Sequence, residues 1–416
     1  MKAVGIIAEY NPFHNGHAYQ LTQAKKLAKA DYAIVALSGN FTQRGVPAIL
    51  DKFSRTAMAL HNGADFVFEL PTLWAVSSAE YFAAAGVTLF HLLGCIDTLC
   101  FGCETPDFPL IDLTARLLAE EPDAYQDSVS RYLKQGLSFP AAREQSLLSI
   151  IKQQSPNTKE SDLRTLLQSP NNILALEYQK SLFRLHSPIC PLPILRDGSG
   201  YHDTKLNGTH CSASALRRHL LQPRRPLTEI AAYAPPETIR QLNAAKGYFL
   251  SEQDFSQILF YKLLSERADG FSGYADNSED LSNKILKRIR NFTDFTAFCK
   301  ELKSKDVTYT RISRALTHIL LNHRKKDYES ARNCGTVPYL RLLGYRKDAA
   351  DFFPEIKKNT AVPIVARPAK DAAALSKDAA ALFQHDLFAS DLYYGVSAQK
   401  SNTPPKNELQ QKLLII

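Results

Sequence analysis

Two histidines flank an Asn-Gly pair in Glu9-Tyr10-Asn11-Pro12-Phe13-His14-Asn15-Gly16-His17, directly after the apolar run Ala3–Ala8 and at the start of a helix-forming stretch. That setting suits one kind of chemistry. When a nucleophile attacks a phosphoryl group, negative charge builds on the equatorial oxygens and on the departing phosphate. Imidazole N–H groups and the unpaired amides of a helix N-terminus donate to those oxygens where the charge develops. Gly16 removes a Cβ, so a ligand can lie close to the backbone. Positioning and electrostatics suffice, without a covalent intermediate on the protein.

A second segment carries matching chemistry. Cys211-Ser212-Ala213-Ser214-Ala215-Leu216-Arg217 sets hydroxyls and amides at a predicted helix start, with an arginine one turn on, a combination able to hold β- and γ-phosphates. Alone it reads equally well as an N-capped helix with a surface arginine. Together the two segments resemble the HxGH nucleotidyltransferase superfamily, which shares its motif with class I aminoacyl-tRNA synthetases. The second departs from that superfamily's ISSTxxR pattern, with Cys for Ile, Ala for the second Ser and Ser for Thr. Ala213 therefore has no side-chain donor, whereas Ser214 keeps its hydroxyl. The resemblance implies ATP as co-substrate, accompanied by Mg2+, with His14 and His17 as the catalytic pair along the triphosphate.

The elements that must hold these residues follow from the apolar pattern. Ala3–Ala8, Asp31–Leu37, Asp65–Leu70 and Ile96–Phe101 read as buried strands. Helical stretches separate them, from about His17 to Ala30, Asp51 to His61 and Ser77 to Leu93. Such alternation predicts an α/β fold, a Rossmann-like doubly wound parallel sheet. Ligands bind beyond the carboxyl ends of its strands, which is where Asn11–His17, Ser38–Arg44 and Gly102–Glu104 fall. Further on, Pro109–Gln154 is helical, Ser155–Asp162 a polar loop, and Asn171 opens another helix. Pro191–Arg196 is a further strand, and Asp197–Tyr201 a Gly-rich loop. Pro223–Pro226 marks a boundary, followed by mostly helical, basic sequence to about Leu343. Ile364-Val365 and Leu387–Tyr394 read as short strands, and the chain from Ser401 to Leu413 as a tail. The expected segments are a catalytic 1–222, a helical 223–362 and a C-terminal 363–416.

At 416 residues there is room for two or three domains. The 22% charged content, with no apolar tract of ~18 residues, predicts a soluble globular protein. Ala3–Ala8 is too short for a signal peptide's apolar region, so the expected location is cytoplasmic. Seven scattered cysteines argue against a disulfide framework. Cys100 and Cys103 form one CxxC with no second pair at ligand spacing, and no protein metal site is expected. A net charge of +8 favours polyanionic partners.

One family matches more specifically. VGIIAEYNPFHNGH, SGNFTQRGVPAILDKFSR (Ser38–Arg55), DFVFELP, FGCE, SPNNILALEY (Ser169–Tyr178), Arg196 with Tyr201-His202-Asp203, and YLRLLGYRK (Tyr339–Lys347) resemble the bacterial tRNA(Met) cytidine acetate ligases. The likeness spans Met1 to about Tyr394. It implies activation of acetate as acetyl-adenylate and acetylation of N4 of the wobble cytidine of elongator tRNA(Met), without acetyl-CoA. By the same resemblance ATP is contacted by Ile7, Ala8, Glu9, Tyr10, Asn11, Pro12, Phe13, His14, Asn15, Gly16, His17, Ala18, Tyr19 and Gln20. Gly102, Asn171, Arg196, Ser212, Ser214 and Arg217 join them. Asn40, Gln43, Arg44 and Lys52, on the second-strand loop and the helix after it, are candidates for acetate, cytidine or phosphate. Asp65 and Glu69 read as strand ends rather than as a general base.

Chemistry makes the route sensible. The cytidine N4 amine is conjugated into its ring and nucleophilically poor, so free acetate cannot acylate it. A mixed anhydride with AMP supplies the leaving group, and anticodon loops offer bases that proteins splay out. Basic residues gather from Lys284 to Lys326. Arg311, Arg314 and His318 are spaced three or four apart, on one helical face. Lys287, Arg288, Arg311, Arg314, Arg324 and Lys325 are the candidate tRNA contacts, tempered by Glu279, Asp280, Asp306, Asp327 and Glu329 nearby. Two other functions stay open at this point: adenylation of a small phosphorylated metabolite, and RNA binding without catalysis.

Overall fold

The computed structural model describes residues 1–196, 211–222, 225–305 and 307–416, excepting the Pro140 side chain. The expected loop 197–201, the Tyr201-His202-Asp203 match, Pro223, Arg224 and Asp306 lie outside the described residues.

Five strands run parallel in the order β5-β4-β1-β2-β3. They are β1 (Ala3–Ala8), β2 (Tyr32–Ser38), β3 (Phe66–Leu70), β4 (Thr98–Cys103) and β5 (Cys190–Leu195). Their near-continuous apolar runs reflect burial on both faces. Ala3, Ile34, Ala36, Phe66 and Phe68 face one core, while Val4, Ile6, Val35, Leu37 and Val67 face the other. The direction of strand addition reverses about β1, which has β2 on one side and β4 on the other. A crevice opens at such a switch point, beyond the carboxyl ends of the strands.

The sheet continues past β3. Strand β6 (Leu340–Tyr345) pairs antiparallel with β3 and carries β7 (Ile364–Val365) and β8 (Leu414–Ile415). Strands thus come from all three segments expected from the sequence. Leu340, Leu342 and Leu343 are fully buried, with Leu340 and Leu342 against one core and Leu343 against the other. A helical pattern had been expected to run to about Leu343; alternation between two buried faces overrides it.

Two other expectations need correction. Leu387–Tyr394 is no strand but lies inside the long helix Lys377–Ser401, burying Asp386, Ala389, Ser390, Tyr393 and Tyr394 at helical spacing. The polar loop ends early too, because the helix Glu160–Gln168 begins within it. Beyond Ser401 the chain is fastened rather than loose: Lys406 Nζ lies 2.8 Å from Asp51, and Glu408 is 2% exposed. The helical region has its own core of residues such as Phe255, Leu259, Phe298, Ile312 and Leu316, into which Phe41 from the loop after β2 and Tyr393 are inserted.

Candidate active site

Helix Asn15–Ala28 starts at the end of β1, and both histidines are fixed by its first turn. His14 is the N-cap: its Nδ1 accepts from Gly16 N at 3.1 Å, while His14 N donates to His17 Nδ1 at 3.3 Å. This reciprocal box satisfies two helix-end amides. It also sets the tautomers, since an Nδ1 that accepts leaves the proton on Nε2. The rings stack at 3.7 Å, and both line the cleft. Burial, His14 and Arg196 hold the His17 pKa well below the usual imidazole value, so His17 is a neutral donor at pH 7. A Cβ on Gly16 would come within 3.0 Å of the His14 ring, so glycine there makes room for the imidazole.

The second motif closes the opposite wall. Ser212 caps helix Ala213–Leu220, its hydroxyl accepting from Ala215 N at 3.1 Å. Arg217 Nη1 donates to Asn11 O at 2.6 Å and Nη2 to Ser214 Oγ at 3.1 Å. One guanidinium therefore ties the two motifs together across 206 residues of chain.

Of the residues expected around ATP, Ile7, Ala8, Glu9, Tyr10, Asn11, His14, His17, Gln20, Gly102, Asn171, Arg196, Ser212, Ser214 and Arg217 line this cleft. Gly16 and Tyr19 line an adjoining lobe beside Gly102 and Arg196. Phe13 instead belongs to the core, 4.7 Å from Tyr10 and 5.5 Å from His17. Pro12 is buried, Ala18 packs against the core, and Asn15 bonds to Ala232 O and Tyr233 O. These four support the loop from behind. At Gly102 a Cβ would stand 3.1 Å from Arg196 Cγ, which lets β4 and the end of β5 approach. Asn171 donates to Glu104 and lines the cleft, whereas its neighbour Asn172 is buried, accepting from Glu104 N at 2.7 Å. Phe82, Phe101, Leu174 and Tyr178 also line it and were not singled out in the sequence. Leu174 and Tyr178 follow Asn171 by three and seven residues, one helical face, and that spacing was the available signal.

The four loop candidates divide. Gln43 and Arg44 line the cleft, with Gln43 N donating to Glu9 Oε1 at 2.8 Å. Asn40 and Lys52 are 1% and 0% exposed. Asn40 Oδ1 accepts from Lys52 N at 2.8 Å. Lys52 Nζ sits 2.7 Å from Glu69 and 2.9 Å from Glu408, with Ser390 at 3.1 Å. Arg341 is the second cation, 3.4 Å from Glu408, and Asp386 is held by Thr72 N and Tyr339. Two cations thus serve three buried acids. Burial, opposed by Lys52, pushes Glu69 up to about 7. Asn40 and Lys52 are framework residues, not cleft residues. Arg55 is framework too: buried, it donates to the carbonyls of Glu9, Ser38, Gly39 and Leu50.

The basic face expected for RNA points inward. Helix Tyr309–Leu320 buries every residue from Ile312 to Leu320. Arg314 Nε lies 2.6 Å from Asp276 Oδ2, and the fully buried His318 places Nε2 3.7 Å from the same oxygen. Burial works against ionising Asp276, but His318 and Arg314 hold its carboxyl well below the usual range. Spacing identifies a shared face without saying which way it faces. Arg311 is half-buried, and Arg324 bonds Glu266 at 3.2 Å while covering the Tyr274 ring at 3.8 Å. Lys287, Arg288 and Lys325 are exposed, Arg288 pairing with Glu301 at 2.9 Å. Both regions are joined through Gly45, whose carbonyl accepts from Ser313 Oγ at 2.8 Å and Thr317 Oγ1 at 2.7 Å.

Among the described residues three arginines and two histidines therefore face one carboxylate, Glu9, along this cleft, a balance suited to a polyanionic nucleotide. Among the described residues no three His, Cys, Asp or Glu side chains gather as a metal site, and no helix is long and apolar enough to cross a membrane.

The model of the HIGH nucleotidyl transferase family matches residues 1–408. A Thermoanaerobacter protein named tRNA(Met) cytidine acetate ligase is 39% identical over 396 residues, covering 94% of this chain and 95% of that one. A Halothermothrix orenii protein of the same name is 36% identical over 403 residues, covering 94% of each. The crystal structure of apo Thermotoga maritima TmcAL superposes with a TM-score of 0.92 at 29% identity over the whole of both chains. Its form bound with alpha-thio ATP gives 0.90 at 28% identity, covering 100% of this chain and 99% of that one.

Proposed function

Since the chain belongs to the HIGH nucleotidyltransferase family, among the tRNA(Met) cytidine acetate ligases, we propose that it is an ATP-dependent ligase that joins acetate to cytidine of tRNA(Met). The observation that carries this reading is the convergence of both phosphate-binding motifs on one cleft, tied by Arg217, in a chain similar to these ligases from end to end. An ATP analogue is bound by the Thermotoga relative, and ATP is the nucleotide this cleft takes.

Acetate attacks the α-phosphorus and pyrophosphate leaves. His14 and neutral His17 offer N–H donors, and Arg196 and Arg217 offer positive charge, where the phosphate oxygens gain charge. The acetyl group of the adenylate then passes to N4 of the wobble cytidine of the elongator tRNA and AMP departs. Gln43 and Arg44, beside Glu9, stand on the side that receives the base. Magnesium accompanies ATP, held chiefly by phosphate oxygens and water, as that ion commonly is. Segment 223–362 takes the tRNA backbone through its outward cations, Lys287, Arg288 and Lys325, with Arg311 and Arg324 adjoining. The enzyme works in the cytoplasm, where its tRNA is.

Whole-length similarity to the ligases weighs against adenylation of a phosphorylated metabolite, and the intact histidine pair against simple RNA binding. Purified protein incubated with ATP, labelled acetate and bulk tRNA provides the test. Acetate-dependent pyrophosphate release with label entering tRNA is expected. Turnover with phosphorylated metabolites alone, or none at all, refutes the reading.

A further inference from the structure

We infer that Glu9 is the catalytic residue that takes the proton from the cytidine N4 amine during acetyl transfer, a step that rests on the function proposed above. Three strands of the nucleotide-binding half end on or next to a carboxylate: Glu9 after β1, Glu69 in β3 and Glu104 after β4. Two of them are occupied elsewhere. Glu69 is sealed against Lys52, and the Glu104 carboxylate accepts from Asn171. Glu9 alone of the three lines the cleft.

Its position is fixed twice. Arg55 Nη1 holds the Glu9 carbonyl at 2.7 Å, and Gln43 N donates to carboxylate Oε1 at 2.8 Å. The second contact sets the side chain towards the loop that Ser313 and Thr317 fasten to the helical region. In the same cleft Arg217 meets Asn11, and the histidine pair begins its helix. A carboxylate in a cleft built for a triphosphate opposes ATP binding by like charge. Its contact with the loop that the helical region fastens suits it to the second step rather than the first.

In that step the N4 lone pair forms a C–N bond with the acetyl carbon. The bond from that carbon to the phosphate oxygen breaks, and AMP leaves with the electron pair. Nitrogen, carrying one hydrogen too many, gives a proton to Glu9. General-base assistance of this kind contributes about 10²–10⁴-fold.

The test separates the two half-reactions in the full-length protein. Acetate-dependent pyrophosphate release is measured without tRNA, and single-turnover transfer is measured from preformed enzyme-bound acetyl-adenylate to elongator tRNA(Met) transcript. Glu9→Gln keeps an oxygen for the Gln43 amide, so the loop stays in place. For this variant transfer falls at least ~30-fold more than pyrophosphate release does; Glu9→Asp falls between wild type and Gln in transfer. Equal losses in both half-reactions, which an ATP or magnesium contact would cause, overturn the assignment, as does unchanged transfer. A wild-type enzyme that forms no acetyl-adenylate would instead refute the proposed function itself.

Discussion

Arg314 offers a sharp test, because its sequence context and its environment point in opposite directions. As a phosphate contact, its loss would leave folding intact and lower the salt slope of tRNA binding by roughly 0.7–0.9. As placed, it is 9% exposed and its Nε lies 2.6 Å from Asp276. Removing one partner of a buried pair costs about 3–5 kcal/mol. The Asp276 side chain retains 23% exposure, so water recovers part of that, and about 2–3 kcal/mol is expected for Arg314→Ala. The pH dependence has a definite sign. A carboxyl held below its unfolded value adds stability that is complete above pH ~4 and disappears as pH falls further. Without Arg314 that acid-side loss shrinks. Urea unfolding between pH 2.5 and 7 measures both, and fluorescence anisotropy with tRNA at several salt concentrations gives the slope. Unchanged urea midpoints together with a reduced slope would refute the inward assignment.

Outward cations should do the reverse: Lys287→Ala plus Lys325→Ala leaves the urea midpoint in place and lowers the tRNA salt slope by about 1–2, read by the same anisotropy series. His17→Ala removes a neutral N–H donor and should slow acetate-dependent pyrophosphate release about 10²–10³-fold, with tRNA affinity changed less than about twofold; retained turnover would exclude the role. Glu69, pushed up to about 7 in the folded chain against 4.5 for an ordinary glutamate, binds a proton more readily folded than unfolded. Stability therefore falls as pH rises through that interval, by at most about 1.4 kcal/mol per unit, and Glu69→Gln should flatten the profile in calorimetric or urea titrations.

Residues that act through local spacing were readable from the sequence. The histidine loop and Gly102 sit at strand ends, which follow from apolar runs, and the serine-arginine helix start was readable from its own residue types. Their convergence on one cleft is what a switch point between β1 and β4 requires. Signals of orientation were not readable. Arg314 and His318 share a face with Arg311, but only the packing of Tyr309–Leu320 against Asp276 and the 41–47 loop tells that the face is buried. Lys52 looked available on a helix following a substrate loop, yet its partners Glu69, Ser390 and Glu408 lie 17, 338 and 356 residues away. Strand β6 was hidden for a related reason. A segment buried on both sheet faces is uniformly apolar, and YLRLLGY has no period that separates strand from helix.

Those long-range contacts suggest how RNA engagement can reach the chemistry. The loop after β2 carries Gln43 and Arg44 into the cleft, yet its shape is set from outside. Gly45 takes φ +69°, and a Cβ there would lie 2.4 Å from Arg314 N; its carbonyl is the acceptor for Ser313 and Thr317. Behind the loop, Asn40 is bonded to Lys52, and Lys52 to the C-terminal residues Ser390 and Glu408. The helical region therefore grips the middle, and the C-terminal segment the ends, of a loop that touches both Glu9 and the cleft. Rigid packing transmits small displacements, so a shift of helix Tyr309–Leu320 must move Gln43 relative to Glu9 unless the Gly45 hydrogen bonds break. Under the proposed function adenylation draws on His14, His17, Arg196 and Arg217, none of which lies on that loop, whereas Glu9 contacts it through Gln43; dependence on correct tRNA docking is therefore expected in the second half-reaction.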